Sequence, residues 1–187
     1  VLVDVVEEAK HISIPLYEEV LKRIKSRYPR RGGIEGELAR LQLVYNIVIS
    51  RTEGVVKLRR LLETLHPFYI KLIEVEFDMK TVDDAFKCIS KARRFAGKFW
   101  DRYRYAILAS RDVREARRVS SEGRGRILSL LKRCSRKLEL LRNLVVFLQR
   151  LPTINPYELT VIVAGPPNVG KSTFVKNVST AKPEIAD

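Results

Sequence analysis

Apolar side chains recur at steps of three and four over most of this chain, the spacing that places them on one face of an α-helix. Ser13 and Pro15 read as a helix start, and Tyr17, Val20, Leu21, Ile24 and Tyr28 follow in helical rhythm until Pro29-Arg30-Arg31-Gly32-Gly33 breaks it. A second seam begins near Ile34 with Leu38, Leu41, Tyr45, Val48, Thr52 and Val55, and Leu58, Leu62 and Leu65 extend it to a stop at His66-Pro67. Phe68, Leu72, Val75 and Met79 then mark a short third helix. His66, beside a proline, reads as a boundary residue rather than a catalytic one.

Thr81-Val82-Asp83-Asp84 has the form of a capping box and predicts a long helix to about Ala109. Ala85, Ile89, Ala92, Ala96, Phe99 and Tyr103 share one side of it, with Lys87, Lys91, Arg94, Lys98 and Arg102 nearly opposite. Arg111 to Val119 extends the helical pattern, and Ser120-Ser121-Glu122-Gly123-Arg124-Gly125 is expected to interrupt it. The cleanest seam follows between Arg126 and Arg150: Ile127, Leu131, Cys134, Leu138, Leu141, Val145 and Leu148. At 1.5 Å per residue this last helix would be about 37 Å long. Arg126, Arg133, Arg136 and Lys137 lie off its seam. The pattern predicts a mainly α, antiparallel helical bundle over residues 1–151, basic from about residue 87.

The periodicity changes after that. Two prolines, Pro152 and Pro156, make residues 152–158 a stiff connector, and Thr160-Val161-Ile162-Val163-Ala164 is a β-branched run that reads as a buried strand. It leads into Gly165-Pro166-Pro167-Asn168-Val169-Gly170-Lys171-Ser172, which fits the phosphate-binding pattern G-x-x-x-x-G-K-[ST], and a helix is expected from Ser172 onward. The glycines let successive backbone N–H groups converge on phosphate oxygens, Lys171 brings positive charge to the terminal phosphates, and Ser172 offers a hydroxyl to magnesium. Nucleotide contacts are expected from Asn168, Val169, Gly170, Lys171, Ser172 and Thr173. Residues 159–187 read as the incomplete start of an α/β P-loop domain: first strand, loop and first helix. Hydrolysis also needs a second acidic magnesium contact and a residue that positions water, so no catalytic residue is assigned and this chain alone is expected to be inactive.

Charge adds a second candidate function. The chain carries +14 in 187 residues, and the segment from Lys87 to Arg150 holds 19 Lys and Arg against 5 Asp and Glu, leaving 17 against 17 elsewhere. Such localisation is the footprint of a polyanion partner, with Lys87, Lys91, Arg94, Lys98, Arg102, Arg126, Arg133, Arg136 and Lys137 as the candidate RNA-binding face. Arg93, Arg94, Lys98, Arg102 and Arg104 alternate with Phe95, Phe99, Trp100, Tyr103 and Tyr105, offering guanidinium groups for phosphates and aromatic faces for unpaired bases. Phe99 and Tyr103 fall on the apolar seam and are expected in the core. A plainly solvated surface and an anionic membrane are the competing readings of the basic face.

Apolar content of 45% suffices for a core, and no run approaches a membrane span, so a monomeric cytoplasmic protein without a membrane partner is expected. Cys88 and Cys134 stand far apart and read as separate buried thiols rather than a disulfide or metal site. The start at Val1 and the position of the loop near the end are the pattern of the front part of a longer protein.

The form Gly-x-Pro-Asn-Val-Gly-Lys-Ser is that of translation-factor-class GTPases. With Leu148-Gln149-Arg150-Leu151-Pro152-Thr153-Ile154-Asn155-Pro156-Tyr157 before it, Thr180-Ala181-Lys182-Pro183-Glu184-Ile185-Ala186 after it, and His66-Pro67-Phe68-Tyr69 upstream, the chain closely resembles the nucleolar GTP-binding protein family, Nog, in what looks like an archaeal member. The match covers about residues 60–187 well. The resemblance implies an Obg-related GTPase domain behind an N-terminal helical bundle, GTP/GDP and magnesium as cofactors, and action in assembling the large ribosomal subunit. It also matches Asn168 to the asparagine that in several related GTPases helps hold a potassium ion, a role that needs a switch loop expected after Asp187. The combined expectation is a GTPase whose bundle anchors it to ribosomal RNA or a large-subunit precursor. A non-catalytic RNA-binding module and an ATP-using P-loop protein are the alternatives, because guanine selection rests on the resemblance alone.

Overall fold

A computed structural model describes residues 5–151, 161, 163–167 and 169–178. The chain divides into two units, Val1–Thr153 and Ile154–Asp187. The described residues are mainly helical and include no strand.

The first unit opens with a short helix, α1 (Val5–Lys10), where no element was expected. It continues with α2 (Tyr17–Ser26), where the Glu19 carboxylate reaches back to the Leu16 N–H at 3.0 Å. The predicted second helix is two, α3 (Gly33–Arg51) and α4 (Glu53–Thr64). The break falls at buried Thr52, whose hydroxyl donates to the carbonyls of Val48 at 2.7 Å and Ile49 at 3.2 Å, a side-chain bond that competes with the helical ladder. Helix α5 (Pro67–Glu76) starts on Pro67, and His66 Nδ1 accepts the Phe68 N–H at 3.2 Å, so His66 is the N-cap.

Helix α6 (Met79–Leu108) is the longest, at 30 residues. Its cap is Asp78 rather than the predicted Thr81: the Asp78 carboxylate accepts the N–H groups of Lys80 at 3.2 Å and Thr81 at 3.1 Å, while the Thr81 hydroxyl also donates to it. Helices α7 (Val113–Arg133) and α8 (Ser135–Gln149) replace the predicted helix over 126–150. The expected interruption at 120–125 is absent, because its small residues form a packing surface. Ser120 is buried with its hydroxyl donating to the Glu37 carbonyl at 2.9 Å, and Gly123 lies against Tyr103 and Leu41. The break comes instead at Cys134, which is disulfide-bonded to Cys88 across a Cα–Cα distance of 6.2 Å. The expectation of separate thiols is thereby overturned. Antiparallel pairing of α6 with α7 brings two distant positions within bridging range.

Direction follows from the contacts. Arg93 of α6 meets the Thr52 end of α3, and Trp100 stacks on Tyr45 with ring centroids 5.4 Å apart, so α6 runs antiparallel to α3. Tyr103 meets Glu122 and Cys88 meets Cys134, so α7 runs back along α6. Glu19 pairs with Arg142 of α8 at 2.9 Å while Tyr28, just past α2, meets Arg124 of α7, so α2 opposes α7 and α8. The unit is an up-and-down bundle of α2, α3–α4, α6 and α7–α8. Its core includes Leu41, Leu58, Ile89, Ile107, Ile127, Leu131, Leu141 and Leu148, all fully buried.

In the second unit, Thr160 and Ile162 of the expected strand lie outside the described residues, as do the connector 152–158, Asn168 and residues 179–187. Val161, Val163 and Ala164 are described and are not in a strand; no second strand pairs with them among the described residues. The helix after the loop is present as α9 (Lys171–Val178).

Candidate functional site

Two places carry chemistry, one in each unit. In the second, Gly170 has φ +86°, a left-handed conformation that glycine adopts freely, and the chain turns there directly into α9 at Lys171. The first helical bond runs from the Phe174 N–H to the Gly170 carbonyl at 2.9 Å, so the N–H groups of Lys171, Ser172 and Thr173 have no intrahelical partner. Those donors and the positive end of the helix dipole form an anion-binding arrangement. The Lys171 ammonium folds back over the loop and donates to the carbonyls of Gly165 at 2.8 Å and Pro166 at 2.6 Å. It is held beside the turn where a bound phosphate would lie. A Cβ at Gly165 would meet Lys171 Cδ and Val169 Cγ2 at 3.7 Å, ordinary contact, so the packing of Lys171 on the loop does not itself require glycine there.

The residues fit magnesium in a limited way. Between Val161 and Val178 there is no acidic side chain, so Ser172 offers the one candidate hydroxyl of the loop, and the other ligands would be phosphate oxygens and water. Among the described residues no cluster of His, Cys, Asp and Glu could hold a metal ion by itself. The potassium position at Asn168 lies outside the described residues.

In the first unit the basic residues sort into two sets. Lys87 pairs with Asp83 at 2.6 Å, and that hydrogen bond holds its ammonium pKa above the ordinary value. Arg126 pairs with Glu122 at 3.3 Å, and Lys137 donates to the Asp84 carbonyl at 3.2 Å. Glu122 also accepts the Tyr103 hydroxyl at 2.7 Å; the bonds from Tyr103 and Arg126 hold its carboxyl pKa below the ordinary range. Burial first, then that same bond, raises Tyr103. Lys91, Arg94, Lys98, Arg102, Arg133 and Arg136 are exposed and form no ion pair among the described residues.

The aromatic residues also sort. Trp100 and Tyr103 are buried, as expected of Tyr103, and Phe99 is half-buried against the core. Arg93, which composition alone places on the basic face, points inward to the Ile49 carbonyl at 2.6 Å and Glu53 at 3.1 Å. Tyr105 is exposed beneath Arg104, 4.8 Å from ring centroid to guanidinium carbon. Arg94 and Lys98 lie 5.4 and 5.5 Å from the centroid of Phe95. Between α6 and α7 runs a groove of about 370 Å³ with Phe95, Phe99 and Leu130 along it, the Cys88–Cys134 bridge at one end, and Lys91 and Arg133 on opposite sides.

A buried charge cluster went unread in the sequence. Glu37 is 1% exposed; Oε1 is bonded by Arg40 and lies 3.4 Å from Arg117 Nε, while Oε2 has no hydrogen-bond partner among the described residues. Its position four residues before Leu41 on the buried stripe was the available signal. Arg40 and Arg124 sit over the Tyr28 ring at 5.6 and 5.4 Å, and Arg40 also donates to the carbonyls of Pro29 and Arg31, fixing the 27–32 turn against α3 and α7.

No helix among the described residues is long and apolar enough to cross a membrane. Comparison with known proteins bears on the whole arrangement. Residues 17–155 match the family model described as the NOG1 N-terminal helical domain. Nucleolar GTP-binding protein 1 of Drosophila melanogaster is 31% identical over 124 residues, 66% of this chain and 19% of that protein. Its namesake in Caenorhabditis elegans is 32% identical over 124 residues, covering 66% and 18%, and that of Arabidopsis thaliana is 30% identical, again covering 66% and 18%. The chain thus spans about a fifth of the length of these curated relatives. The helical region that aligns is the bundle described above, and by the extent of that match the chain belongs to the Nog family of nucleolar GTP-binding proteins, through its N-terminal helical domain.

Proposed function

We propose that this protein, in full length, is a GTPase of large-ribosomal-subunit assembly, in which the helical bundle anchors the molecule to ribosomal RNA and the loop at 165–172 grips the nucleotide. The observation that carries the anchoring half is the set of cations without an ion pair among the described residues, Lys91, Arg94, Lys98, Arg102 and Arg133, on adjacent helices beside the half-buried rings of Phe95 and Phe99. Unpaired cations release counterions from a polyanion, whereas Lys87 and Arg126 already have partners. The nucleotide half is supported by the fold of Lys171 over the loop and by the N–H groups at the start of α9 that have no intrahelical partner, together with the relatives' being named GTP-binding proteins. Bound nucleotide would place its β- and γ-phosphates against Lys171 and the N–H groups of Val169 to Thr173, with magnesium on Ser172 neutralising the charge that develops there. Asn168 is the position proposed for potassium.

The test of anchoring is binding of this chain to large-subunit ribosomal RNA across a salt series, beside a variant carrying Lys91→Glu, Arg94→Glu, Lys98→Glu and Arg102→Glu. Tight binding with a steep salt slope, lost in the variant, is expected; weak binding unchanged by the substitutions would end the anchoring reading. For the nucleotide, the full-length protein should hydrolyse GTP, resist competition by ATP, and lose activity on Lys171→Ala.

A further inference from the structure

We infer that the groove between α6 and α7 receives a single unpaired RNA base, so that the bundle recognises a bulge or loop rather than a continuous duplex. This rests on the anchoring role proposed above and specifies what that surface binds. Three observations converge. The groove, at about 370 Å³, lies at the small end of ligand sites, a size for one nucleoside rather than a helix or a peptide strand. Its lining is apolar and aromatic, with Phe95 and Phe99 offering ring surface of the kind on which splayed-out bases stack. The cations stand around it: Lys91 on the α6 side, Arg133 on the α7 side, and Arg94 and Lys98 against Phe95. Among the described residues no acidic side chain lines the groove.

That charge pattern selects the occupant. A base inserted into the groove would bring its own and its neighbouring phosphates near Lys91 and Arg133, which line the groove and have no ion pair among the described residues. A-form duplex buries its base faces in the stack and presents phosphate and 2′-hydroxyl edges, so it would use the cations and leave the aromatic lining empty. An apolar helix from a protein partner would use the lining and leave the cations unmatched. A splayed nucleotide uses both, its base on the lining and its phosphates on the cations.

The experiment compares two RNA hairpins of equal length, one fully paired and one with a single bulged 2-aminopurine, on the 187-residue chain. Phe99→Leu serves as the variant, since it keeps apolar volume against Tyr103 while removing the aromatic face. The bulged hairpin is expected to bind about tenfold more tightly than the paired one, with a change in 2-aminopurine fluorescence. Phe99→Leu should abolish both the preference and the fluorescence change while leaving the salt slope intact. Circular dichroism and the melting temperature of Phe99→Leu establish that it is folded, and Leu130→Trp, which fills the groove and removes no cation, must give the same loss. Equal binding of the two hairpins with an unchanged salt slope would overturn the base site and leave the anchoring role standing. Failure of both hairpins to bind would overturn the two together. A dimer of the chain that Phe99→Leu dissociates would assign the groove to a second copy instead.

Discussion

A methyl group added at Gly123 would lie 2.7 Å from Tyr103 Cγ, 2.9 Å from Tyr103 Cβ and 3.1 Å from Leu41 Cδ1. Tyr103 Cβ is fixed to the α6 backbone, so relief requires the helices to part. Gly123→Ala gains about 1 kcal/mol of helix propensity and meets an overpacking cost of about 1–3 kcal/mol, and the rigid neighbour puts the cost at the upper end. A net loss of about 1–2 kcal/mol is expected in urea unfolding. Gly125, two residues on and exposed, has nothing within 4 Å, so Gly125→Ala should stabilise by about 0.5–1 kcal/mol in the same measurement. Equal effects at the two positions would contradict the packing of α7 on α6. Glu122 gives a pH signature of the same contact. Its carboxyl is held below the ordinary value of 4.5, first by the Tyr103 hydroxyl. A depressed folded value means stabilisation that is present above the unfolded value and lost as pH falls through the folded one. The melting-temperature gap between the protein and its Glu122→Gln variant should therefore be open at about pH 6 and close towards about pH 3.

The Cys88–Cys134 bridge ties the middle of the bundle at the joint between α7 and α8, closing a loop with a sequence separation of 46. Loop closure of that size is worth about 2–4 kcal/mol, so a reductant should lower unfolding stability by that amount, and Cys88→Ala should be equally unstable but indifferent to the reductant. An unmoved midpoint on reduction would mean that packing alone sets the joint. The bridge also shows why some of the architecture was legible and some was not. Stripes such as Ile127, Leu131, Leu138 and Leu141 were readable because burial repeats with the helical period and needs no knowledge of the partner. The breaks at Thr52 and Cys134 were not, since neither residue type stops a helix by itself. Ser120 and Gly123 misled in the opposite direction: residues common in loops are here what close contact with α3 and α6 requires. The motif from Gly165 to Ser172 could be picked out as a candidate phosphate site because its residues are contiguous. The groove could not, because it pairs Lys91 with Arg133 from helices whose register no local pattern states.

Over the whole molecule, a net charge of +14 says only that polyanions are attracted; which cations remain available determines how strongly. Lys87 and Arg126 spend their charge on Asp83 and Glu122, whereas Lys91 and Arg133 have no ion pair among the described residues. These two pairs of residues are matched in formal charge and in the helices they sit on, one from α6 and one from α7, and so form an internal control. If the unpaired set contacts single-stranded phosphates, each neutralised phosphate adds about 0.7 to the slope of log affinity against log salt. Lys91→Ala with Arg133→Ala should then flatten the slope by about 1.4, while Lys87→Ala with Arg126→Ala should leave it unchanged to within about 0.3. Net charge falls by the same amount in both double variants, so a response to total charge alone would flatten both slopes equally. Only a response that separates them places the partner at the groove between α6 and α7.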